Sequence, residues 1–482
     1  MKGKIAVSLI LIAYMMISGC TLKPKYIKPD TPVARQFPTD GVYREISYDN
    51  VSAPGKLKWE DFFIDAKLKK IVEITLKNNR DLRLAILNVE TARQLYGIKR
   101  AELYPSVYAT GSGNRQRVPD DLAPMGKGYV QSQYSANLGL AEWEIDFFGR
   151  IRSLKEEALE QFFAAKENRR AAQISLISEI ARVYFTLASD LKNYKIAKEL
   201  YETAKDNYKL VESQYKVGIA TEIDLNNAKS AVNGARVNMV TYEQLIEKDK
   251  NALYLLVGKR ISDDLLPSNF WSTLPMKDFS PGLSSLVLLN RPDIMAAEHR
   301  LKAAYANIGA ARAALFPRIT LLAGFGTASD ELSGLFSSGS KVWNLSGNAA
   351  LPVFDARVWR AYKLSKVQRK IYLTQYEKTI QKAFKEVLDT LAVRATIDKQ
   401  IEAQTNLVES LQKTYELVYK RYKQGIDSYF YVLKAQQDLL QAKEQLTKLK
   451  LAKYANHVMM YAALGGGGNF DEKSDEKLIS QK

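Results

Sequence analysis

The chain has 482 residues, enough for two or three domains, and 26% of them are charged. Its formal net charge of +17 raises the possibility of nucleic-acid binding. However, Lys and Arg are interspersed with Asp and Glu and form no basic block, which favours solvated helix faces over a nucleic-acid surface. Beyond the N-terminus, no apolar run reaches the roughly 18 residues of a membrane helix.

The N-terminus predicts a secreted lipoprotein. Two lysines and the apolar run Ile5–Ile17 form a secretory signal over residues 1–19. Ile17-Ser18-Gly19-Cys20 then resembles a lipobox, and Cys20 is the only cysteine, so no intramolecular disulfide can form. We expect Cys20 to carry a covalent lipid, with no cofactor or metal; the alternative is a short membrane anchor with an incidental cysteine. Thr21 follows, not the Asp that retains enterobacterial lipoproteins in the inner membrane, which favours the outer membrane.

The mature chain contains an internal repeat. Matching residues of the segment from Asp81 to Pro105 recur 212 positions later, and matching residues from Arg150 to Gly258 recur 207 positions later. Similarity between generic heptads does not account for this register, since repeated glycines and prolines lie outside any heptad rule. Two copies of one structural unit are therefore expected.

Each copy predicts the same order of elements. A helix (about 81–103 and 293–315) stops before a proline, because proline disfavours helical backbone in the residue before it. Two alternating segments follow, and then a helix free of Gly and Pro over 151–217 and 353–424. At 1.5 Å per residue such a helix extends for roughly 100 Å and must pack lengthwise. Side chains at seven-residue spacing indicate coiled-coil packing, and each helix reverses at a glycine and returns, which makes one helical hairpin per copy.

The alternating segments are candidate membrane strands. Within residues 128–142, apolar side chains such as Tyr134 and Leu138 alternate with polar ones, as in outer-membrane strands. A soluble hairpin packed on a core is the alternative for any one segment. Four strands cannot close a barrel, and an open sheet in lipid leaves backbone groups unpaired, so several chains must close one barrel together. Three chains supply twelve strands, whereas two supply only eight, too narrow for a duct.

These features resemble the outer-membrane factor family, the TolC-like outer-membrane efflux proteins, and most closely the lipid-anchored OprM and CmeC-type branch. The resemblance covers nearly all of the mature chain. It rests on the lipobox at Cys20 and on paired motifs, which are Asn79-Arg80-Asp81 with Asn290-Arg291-Pro292-Asp293, Leu103-Tyr104-Pro105 with Leu315-Phe316-Pro317, Asp146-Phe147-Phe148-Gly149-Arg150 with Leu351-Pro352-Val353-Phe354-Asp355-Ala356-Arg357, and Tyr215-Lys216-Val217-Gly218 with Tyr422-Lys423-Gln424-Gly425.

The resemblance implies a mixed fold, mainly α with membrane β, internally duplicated. Long helical hairpins then form a periplasmic α-barrel, and four strands per chain join a twelve-stranded trimeric outer-membrane barrel. The domains expected in chain order are the signal peptide 1–19, an anchored N-terminal and equatorial segment 20–64, a first repeat 65–258 (strands about 105–142, hairpin about 150–258), an inter-repeat equatorial linker 259–285, a second repeat 286–465 (strands about 318–353, hairpin about 356–464) and a polar tail 466–482.

The function implied is that of an exit duct of a tripartite efflux system, exporting drugs, bile salts or other toxic small molecules. The alternative is the outer-membrane component of heavy-metal efflux or of type I protein secretion. The expected partners are two further copies in a homotrimer, a periplasmic adaptor protein, an inner-membrane pump of the resistance-nodulation-division type and outer-membrane lipid, with no nucleic acid. The expected location is the outer membrane of a Gram-negative bacterium, with a lipid anchor and a periplasmic projection.

Two sets of site residues follow. The hairpin tips are expected to dock the adaptor, through Val217, Gly218, Ile219, Gln424, Gly425 and Ile426. The periplasmic gate is expected where the second hairpin returns, at Asp427, Phe430, Tyr431 and Lys434, with Asp224 of the first hairpin nearby. Family members usually have acidic residues at the positions of Tyr431 and Lys434, so this chain departs from the usual acidic ring. Pairing of Lys434 with Asp427 or Asp224 is expected to relieve repulsion among three lysines, and an outward-facing Lys434 is the alternative.

Two other classes of protein fit less well. An enzyme is not expected, because the only histidines, His299 and His457, are far apart and no carboxylate cluster has a catalytic or metal-binding spacing. A periplasmic adaptor lipoprotein also has a signal, an anchor and a helical hairpin. Such a protein has one hairpin between lipoyl-like segments, whereas this sequence predicts two hairpins and membrane-type strands.

Overall fold

The computed structural model describes residues 21–46, 57–268, 270, 275–279, 282 and 284–466. The predicted signal peptide, Cys20 and the tail beyond Gly466 lie outside the described residues. Within them, long helices and one four-stranded sheet account for the regular structure.

The helices follow the predicted order. Those longer than two turns in the described ranges are α1 Ala66–Asn78, α2 Arg80–Ala101, α3 Arg150–Lys216, α4 Glu222–Val257, α5 Pro292–Ala313, α6 Ala356–Lys423 and α7 Tyr429–Ala463. With 67 and 68 residues, α3 and α6 are the long helices expected from the stretches without Gly and Pro. Among the described residues, none of the helices is both long and apolar enough to cross a membrane.

Four antiparallel strands form one sheet in chain order: β1 Val107–Val118, β2 Tyr129–Ile145, β3 Arg318–Ser329 and β4 Lys341–Ala350. The central pairing of β2 with β3 joins the two repeats and places Leu138 opposite Phe325. β1 pairs only with β2 and β4 only with β3 in this sheet, so both are edge strands. The predicted fold class, mainly α and internally duplicated with four strands per chain, is confirmed.

The repeat is visible in individual hydrogen bonds. Asn79 Nδ2 donates to the carbonyl of Leu256 at 2.8 Å, which ties the start of α2 to the end of the first hairpin. In the second repeat, Arg291 Nη1 donates to the carbonyl of Ala463 at 2.7 Å. The donors are 212 residues apart and the acceptors 207, which are the two offsets found in the sequence.

The chain divides into two compact units that do not coincide with the repeats. One unit combines Val89–Ala165 and Ala296–Tyr376 with the N-terminal residues up to Pro29, and it contains the sheet. The other contains Asp30–Asn88, Lys166–Met295 and the chain from Glu377 onward, with the hairpin tips. Each unit therefore takes equivalent pieces from both repeats.

An aromatic core stabilises the unit that holds the hairpins. Phe62 stacks on Tyr461 with ring centroids 4.0 Å apart and on His457 at 5.6 Å. His457 Nε2 lies 2.8 Å from the carbonyl oxygen of Lys277, and burial lowers the pKa of this histidine. A buried, neutral histidine in an aromatic stack has a packing role.

Candidate functional site: hairpin tips, gate region and open sheet

The first hairpin tip is a tight turn with exposed apolar side chains. Gly218 has a φ of 79°, a left-handed conformation that glycine adopts without strain. α4 then begins with a capping box, in which the side chains of Thr221 and Asp224 each accept a hydrogen bond from the other's backbone N–H. Val217 and Ile219 are 70% and 74% exposed. The tip thus presents two apolar side chains beside a well-capped helix start.

The second tip has the same kind of turn, but an ion pair stabilises it in place of a capping box. Gly425 has a φ of 74°, Gln424 is exposed, and Ile426 is 59% exposed. Arg421 donates two hydrogen bonds to the carboxylate of Asp427, at 2.7 and 3.0 Å, across the turn. These bonds lower the pKa of Asp427, so the carboxylate stays charged and the turn stays closed.

A tyrosine-rich core lies directly behind the tips. Its buried members come from both hairpins and are Val211, Ala228, Tyr422, Tyr429 and Val432. The Tyr422 hydroxyl donates to Gln214 at 2.8 Å, and burial raises the pKa of Tyr429. The sequence analysis included Tyr422 in the repeated motif at the tip but did not predict its packing partners, and it missed Tyr429. The seven-residue spacing of the two tyrosines was the available signal.

The gate candidates lie on the first turns of α7 and are exposed. Phe430 and Tyr431 are 59% and 56% exposed, and their rings form an edge-on contact at 5.8 Å. Lys434 lies one turn further along and points to solvent as well. All three side chains are thus mainly exposed in the single chain.

The expected pairing of Lys434 is not formed within the chain. Lys434 Nζ lies 3.3 Å from Asp438, one turn along the same helix. Asp427 is held by Arg421, and Asp224 caps α4. Spacing in the sequence suggested pairs across the turn, but the i,i+4 partner on the helix is closer and needs no reorganisation.

A cavity of about 700 Å³ adjoins the gate candidates, between α3, α4 and α7. Its wall on α4 consists mostly of small and polar residues, including Ser230, Gly234 and Asn238, and its wall on α7 includes Phe430 and Lys434. The structure therefore brings two of the five gate candidates to one cavity. Asp427, Tyr431 and Asp224 are not among the residues that line it.

The segment after the predicted lipid site is held against the sheet-bearing unit. A methyl group on Gly149 would lie 2.8 Å from the Cα of Thr21, and one on Gly309 would lie 2.7 Å from the Cβ of Lys23. Lys23 also forms an ion pair with Glu156 on α3. Two glycines thus make room for Thr21 and Lys23, a role the sequence did not reveal.

The junction between strands and helices is held by charge. Glu144 at the end of β2 forms ion pairs with Arg150 and Arg318, both at 2.7 Å. Asp146 accepts hydrogen bonds from the backbone and side chain of Arg152 at the start of α3. These pairs orient α3 relative to the sheet within one unit.

The other polar groups singled out in the sequence have structural partners. His299 Nδ1 lies 2.6 Å from Glu160, and His457 belongs to the aromatic core described above. No group of three or more His, Cys, Asp or Glu side chains suited to a metal ion occurs among the described residues.

Comparison with known proteins places this architecture. The model of the family described as "Outer membrane efflux protein" matches the chain twice, over residues 71–259 and 283–466. The toluene efflux pump outer membrane protein TtgC of Pseudomonas putida is 42% identical over 465 residues, which cover 96% of each chain. The solved outer membrane channel MtrE of Neisseria gonorrhoeae, in its open state, has a TM-score of 0.82 and 34% identity, covering 94% of this chain and 99% of that one. The CmeC outer membrane channel of Campylobacter jejuni has a TM-score of 0.82 and 28% identity, covering 96% and 98%.

Duplicated helical hairpins joined to a four-stranded sheet with two open edges define a channel protein of the outer membrane. The chain belongs to the outer membrane efflux protein family. The predicted family, its outer-membrane location and its function as an outer-membrane channel of an efflux system are confirmed.

Proposed function

We propose that three copies of the chain form one channel, anchored by a lipid on Cys20, which receives its cargo from a periplasmic adaptor and an inner-membrane pump of the resistance-nodulation-division type. The observation that carries the trimer is the sheet with two free edges. Exposed edge strands invite pairing with another chain, and lipid demands that every backbone group be paired. Twelve strands from three chains close a barrel with a pore.

The cargo we propose is a range of apolar or amphipathic small molecules, such as organic solvents, antibiotics and bile salts. Relatives covering nearly the whole chain are named as toluene, solvent and antibiotic efflux pump outer membrane proteins. Among the described residues, no three or more His, Cys, Asp or Glu side chains are grouped so that they could hold a metal ion. The names of these relatives favour small organic cargo over heavy-metal ions.

The tips and the gate region are proposed to act in sequence. The apolar side chains at the tips, led by Val217, Ile219 and Ile426, offer a surface for the adaptor's helical hairpin, because exposed apolar patches mark interaction sites. The aromatic pair Phe430 and Tyr431 offers an apolar constriction, which can shut a pore by dewetting.

The experiment is complementation in a strain that lacks its own outer-membrane efflux proteins, with the matching adaptor and pump supplied. We expect restored survival in toluene and raised resistance to antibiotics, and a purified protein whose native mass corresponds to three chains. A monomeric protein in native mass measurements, or an assembled trimer that restores neither phenotype, would contradict the proposal.

A further inference from the structure

One face of the sheet carries an apolar band. Register partners in antiparallel strands lie on the same face, so the strand pairing identifies each row of side chains. One row crosses all four strands through Ala109, Leu138, Phe325 and Trp343. Leu138, Phe325 and Trp343 are 58%, 60% and 75% exposed in the single chain. In the sheet of an outer-membrane protein, such an exposed apolar row belongs to the side that faces lipid.

The opposite face of the sheet is polar and suits the interior of the channel. Ser112 and Ser135 are register partners on it, and their hydroxyl oxygens lie 2.8 Å apart. Asn137 Nδ2 donates a further hydrogen bond to the Ser135 hydroxyl at 3.2 Å. The difference between the two faces decides on which side of the barrel wall each charged residue lies.

Three cations interrupt the apolar face near the loop ends of the two edge strands. Arg115 and Arg117 on β1 and Lys341 on β4 are each an even number of residues from the apolar row, so they lie on the same face as that row. The other charged residues of the four strands lie near the helix ends of their strands and are Glu142, Glu144 and Arg318. All charge in the loop-end half of the strands is therefore positive and on the lipid-facing side.

Aromatic side chains mark the boundary between the apolar band and these cations. Trp343 is two residues from Lys341 on the same face. The ring of Tyr134 lies against its register partner Gly113, where a methyl group would be 3.2 Å from the ring, and Arg115 follows two residues later. Two residues of a strand extend for about 7 Å. Because aromatic girdles mark the membrane interfaces, the cations lie at the level of lipid headgroups.

The three cations have no partner in the part of the chain that the structure describes. All are exposed, and none forms a side-chain hydrogen bond or ion pair with another described residue. The carboxylate nearest to Arg117 in sequence belongs to Asp120, which accepts a hydrogen bond from the backbone of Gly128 at 2.6 Å. The positive charges are therefore available to an anion from outside the chain.

Closure of the proposed barrel brings the two groups of cations together. β1 and β4 are the edge strands, so β4 of one copy pairs with β1 of the next, at a strand spacing of about 4.8 Å. Lys341 and the arginines of the next copy then lie at the same loop end of one junction between copies. The helices adjoin the other end of the strands, so with the helices in the periplasm this loop end reaches the outer leaflet.

We propose that each junction binds a phosphorylated, acylated glycolipid of the outer leaflet, with its phosphates on Arg115, Arg117 and Lys341 of the neighbouring copy. Its acyl chains then lie along the apolar band. The proposal rests on the trimer proposed above. Guanidinium groups bind phosphate with two parallel hydrogen bonds, and a phosphate monoester carries a charge of about −1.5 to −2 at neutral pH. Three cations therefore match a headgroup with two phosphates, and their continuity with the apolar band favours a lipid over a free anion.

Native mass spectrometry of the full-length trimer, purified from outer membranes and stripped of lipid in detergent, tests the site. The probe is lipid A with two phosphates. We expect one bound molecule per junction in the unmodified protein. In the Arg115→Gln/Arg117→Gln/Lys341→Gln variant, binding should weaken by about tenfold or more, because a single charge-assisted hydrogen bond already contributes about that factor.

The matched control removes the same charge from exposed positions of α3, as Lys198→Gln/Lys209→Gln/Lys216→Gln. It should bind lipid A as the unmodified protein does. Unchanged binding in the strand variant, or an equal loss in both variants, would overturn the site. If the strand variant does not assemble, Arg117→Gln alone provides the same comparison, since Arg117 lies furthest beyond the apolar band on β1.

Further probes identify the ligand chemistry. Lipid A without its phosphates, and phosphatidylglycerol with its single phosphate diester, should both bind more weakly than lipid A with two phosphates. Equal binding of either, or displacement of bound lipid A by inorganic phosphate, would contradict the proposed glycolipid. The same spectra report the mass of the protein. An intact trimer without lipid refutes this site alone, whereas a monomeric mass refutes the proposed function itself.

Discussion

At the residue scale, the gate candidates lead to a direct prediction. Phe430 is exposed at the start of α7, and Asp427 closes the preceding turn through Arg421. Phe430→Ala with Asp427→Ala removes the apolar ring and releases the turn. We expect a higher single-channel conductance in planar bilayers and sensitisation of cells to large antibiotics such as vancomycin.

The control for the gate variant is Phe336→Ala, since Phe336 is 79% exposed and belongs to the loop between β3 and β4. It should leave conductance unchanged. Normal trimer amounts with unchanged conductance in the Phe430→Ala/Asp427→Ala variant would place the gate elsewhere.

A pair of carboxylates between α3 and α4 predicts a pH dependence of stability. Burial, together with the neighbouring Asp190, raises the pKa of Asp249 to about 7, and burial raises the pKa of Asp190 as well. Arg182 acts in the opposite direction but does not cancel the shift. Because the folded state holds this proton more tightly than the unfolded chain, stability falls as pH rises from about 4 through about 7.

Asp249→Asn removes the titrating group and keeps an amide that can bond to Asp190. We expect the loss of unfolding free energy between pH 5 and pH 8 to shrink by about 1–2 kcal/mol, a value already discounted for partial exposure. Thermal unfolding of the purified protein at both pH values measures this. Asp206→Asn, at an exposed ion pair on α3, the helix that carries Asp190, should not change the pH dependence.

Sequence could identify exposed candidates at this scale but not their partners. Gly218 and Gly425 were identifiable because a helix without other breaks must reverse at them. The partner of Asp427 proved to be Arg421, and Asp190 and Asp249 come from two helices whose relative rotation no single-sequence pattern specifies. Such pairs depend on packing angles and rotamers.

At the scale of elements, the hairpin tips yield the next prediction. Gly218 and Gly425 have positive φ and no atom close to where a Cβ would lie, so an added side chain costs backbone strain of roughly 1–2 kcal/mol at each position. Gly218→Val with Gly425→Val should therefore assemble normally. We expect efflux to be abolished, because the altered turns and added side chains spoil the docking surface.

Gly126→Val is the matched control for the tips. Gly126 also has a positive φ, of 66°, and open space, but it lies in the loop between β1 and β2. Drug susceptibility and trimer amounts should match the unmodified protein. Efflux that survives the double tip variant would mean that the adaptor docks elsewhere.

Sequence predicted elements better than sites, for a physical reason. Helices without Gly or Pro and strands with strict alternation are determined locally, and the predicted strand at 128–142 is observed at Tyr129–Ile145. The pairing of β2 with β3 across the repeats is determined by contacts between distant parts of the chain.

At the scale of the whole molecule, the lipid anchor can be separated from the channel. Cys20→Ser should abolish acylation, whereas the strands still insert, so we expect partial efflux to remain. Intact-mass analysis of the mature protein checks this, since the protein that retains Cys20 should carry the added mass of acyl chains and the Cys20→Ser variant should not. A mature protein with an unmodified Cys20 would overturn the assignment.

The compact units were not predictable as domains. The sequence suggests two consecutive repeats, but each unit draws on both of them, with α2 and α5 providing residues to the sheet-bearing one. A repeat whose faces are completed by the other repeat cannot fold as an independent domain. The domain borders expected from the sequence therefore describe the duplication and remain predictions.

Gly149 and Gly309 leave room for Thr21 and Lys23, and we call this contact the seat. The seat has a consequence for the expression and processing of the protein. Thr21 is packed against Gly149, and Thr21 directly follows the residue proposed to enter the lipid. One residue spans less than about 4 Å, so there is no slack between membrane and seat. An affinity tag placed directly before Thr21 would therefore meet the packed contact with Gly149 within one residue.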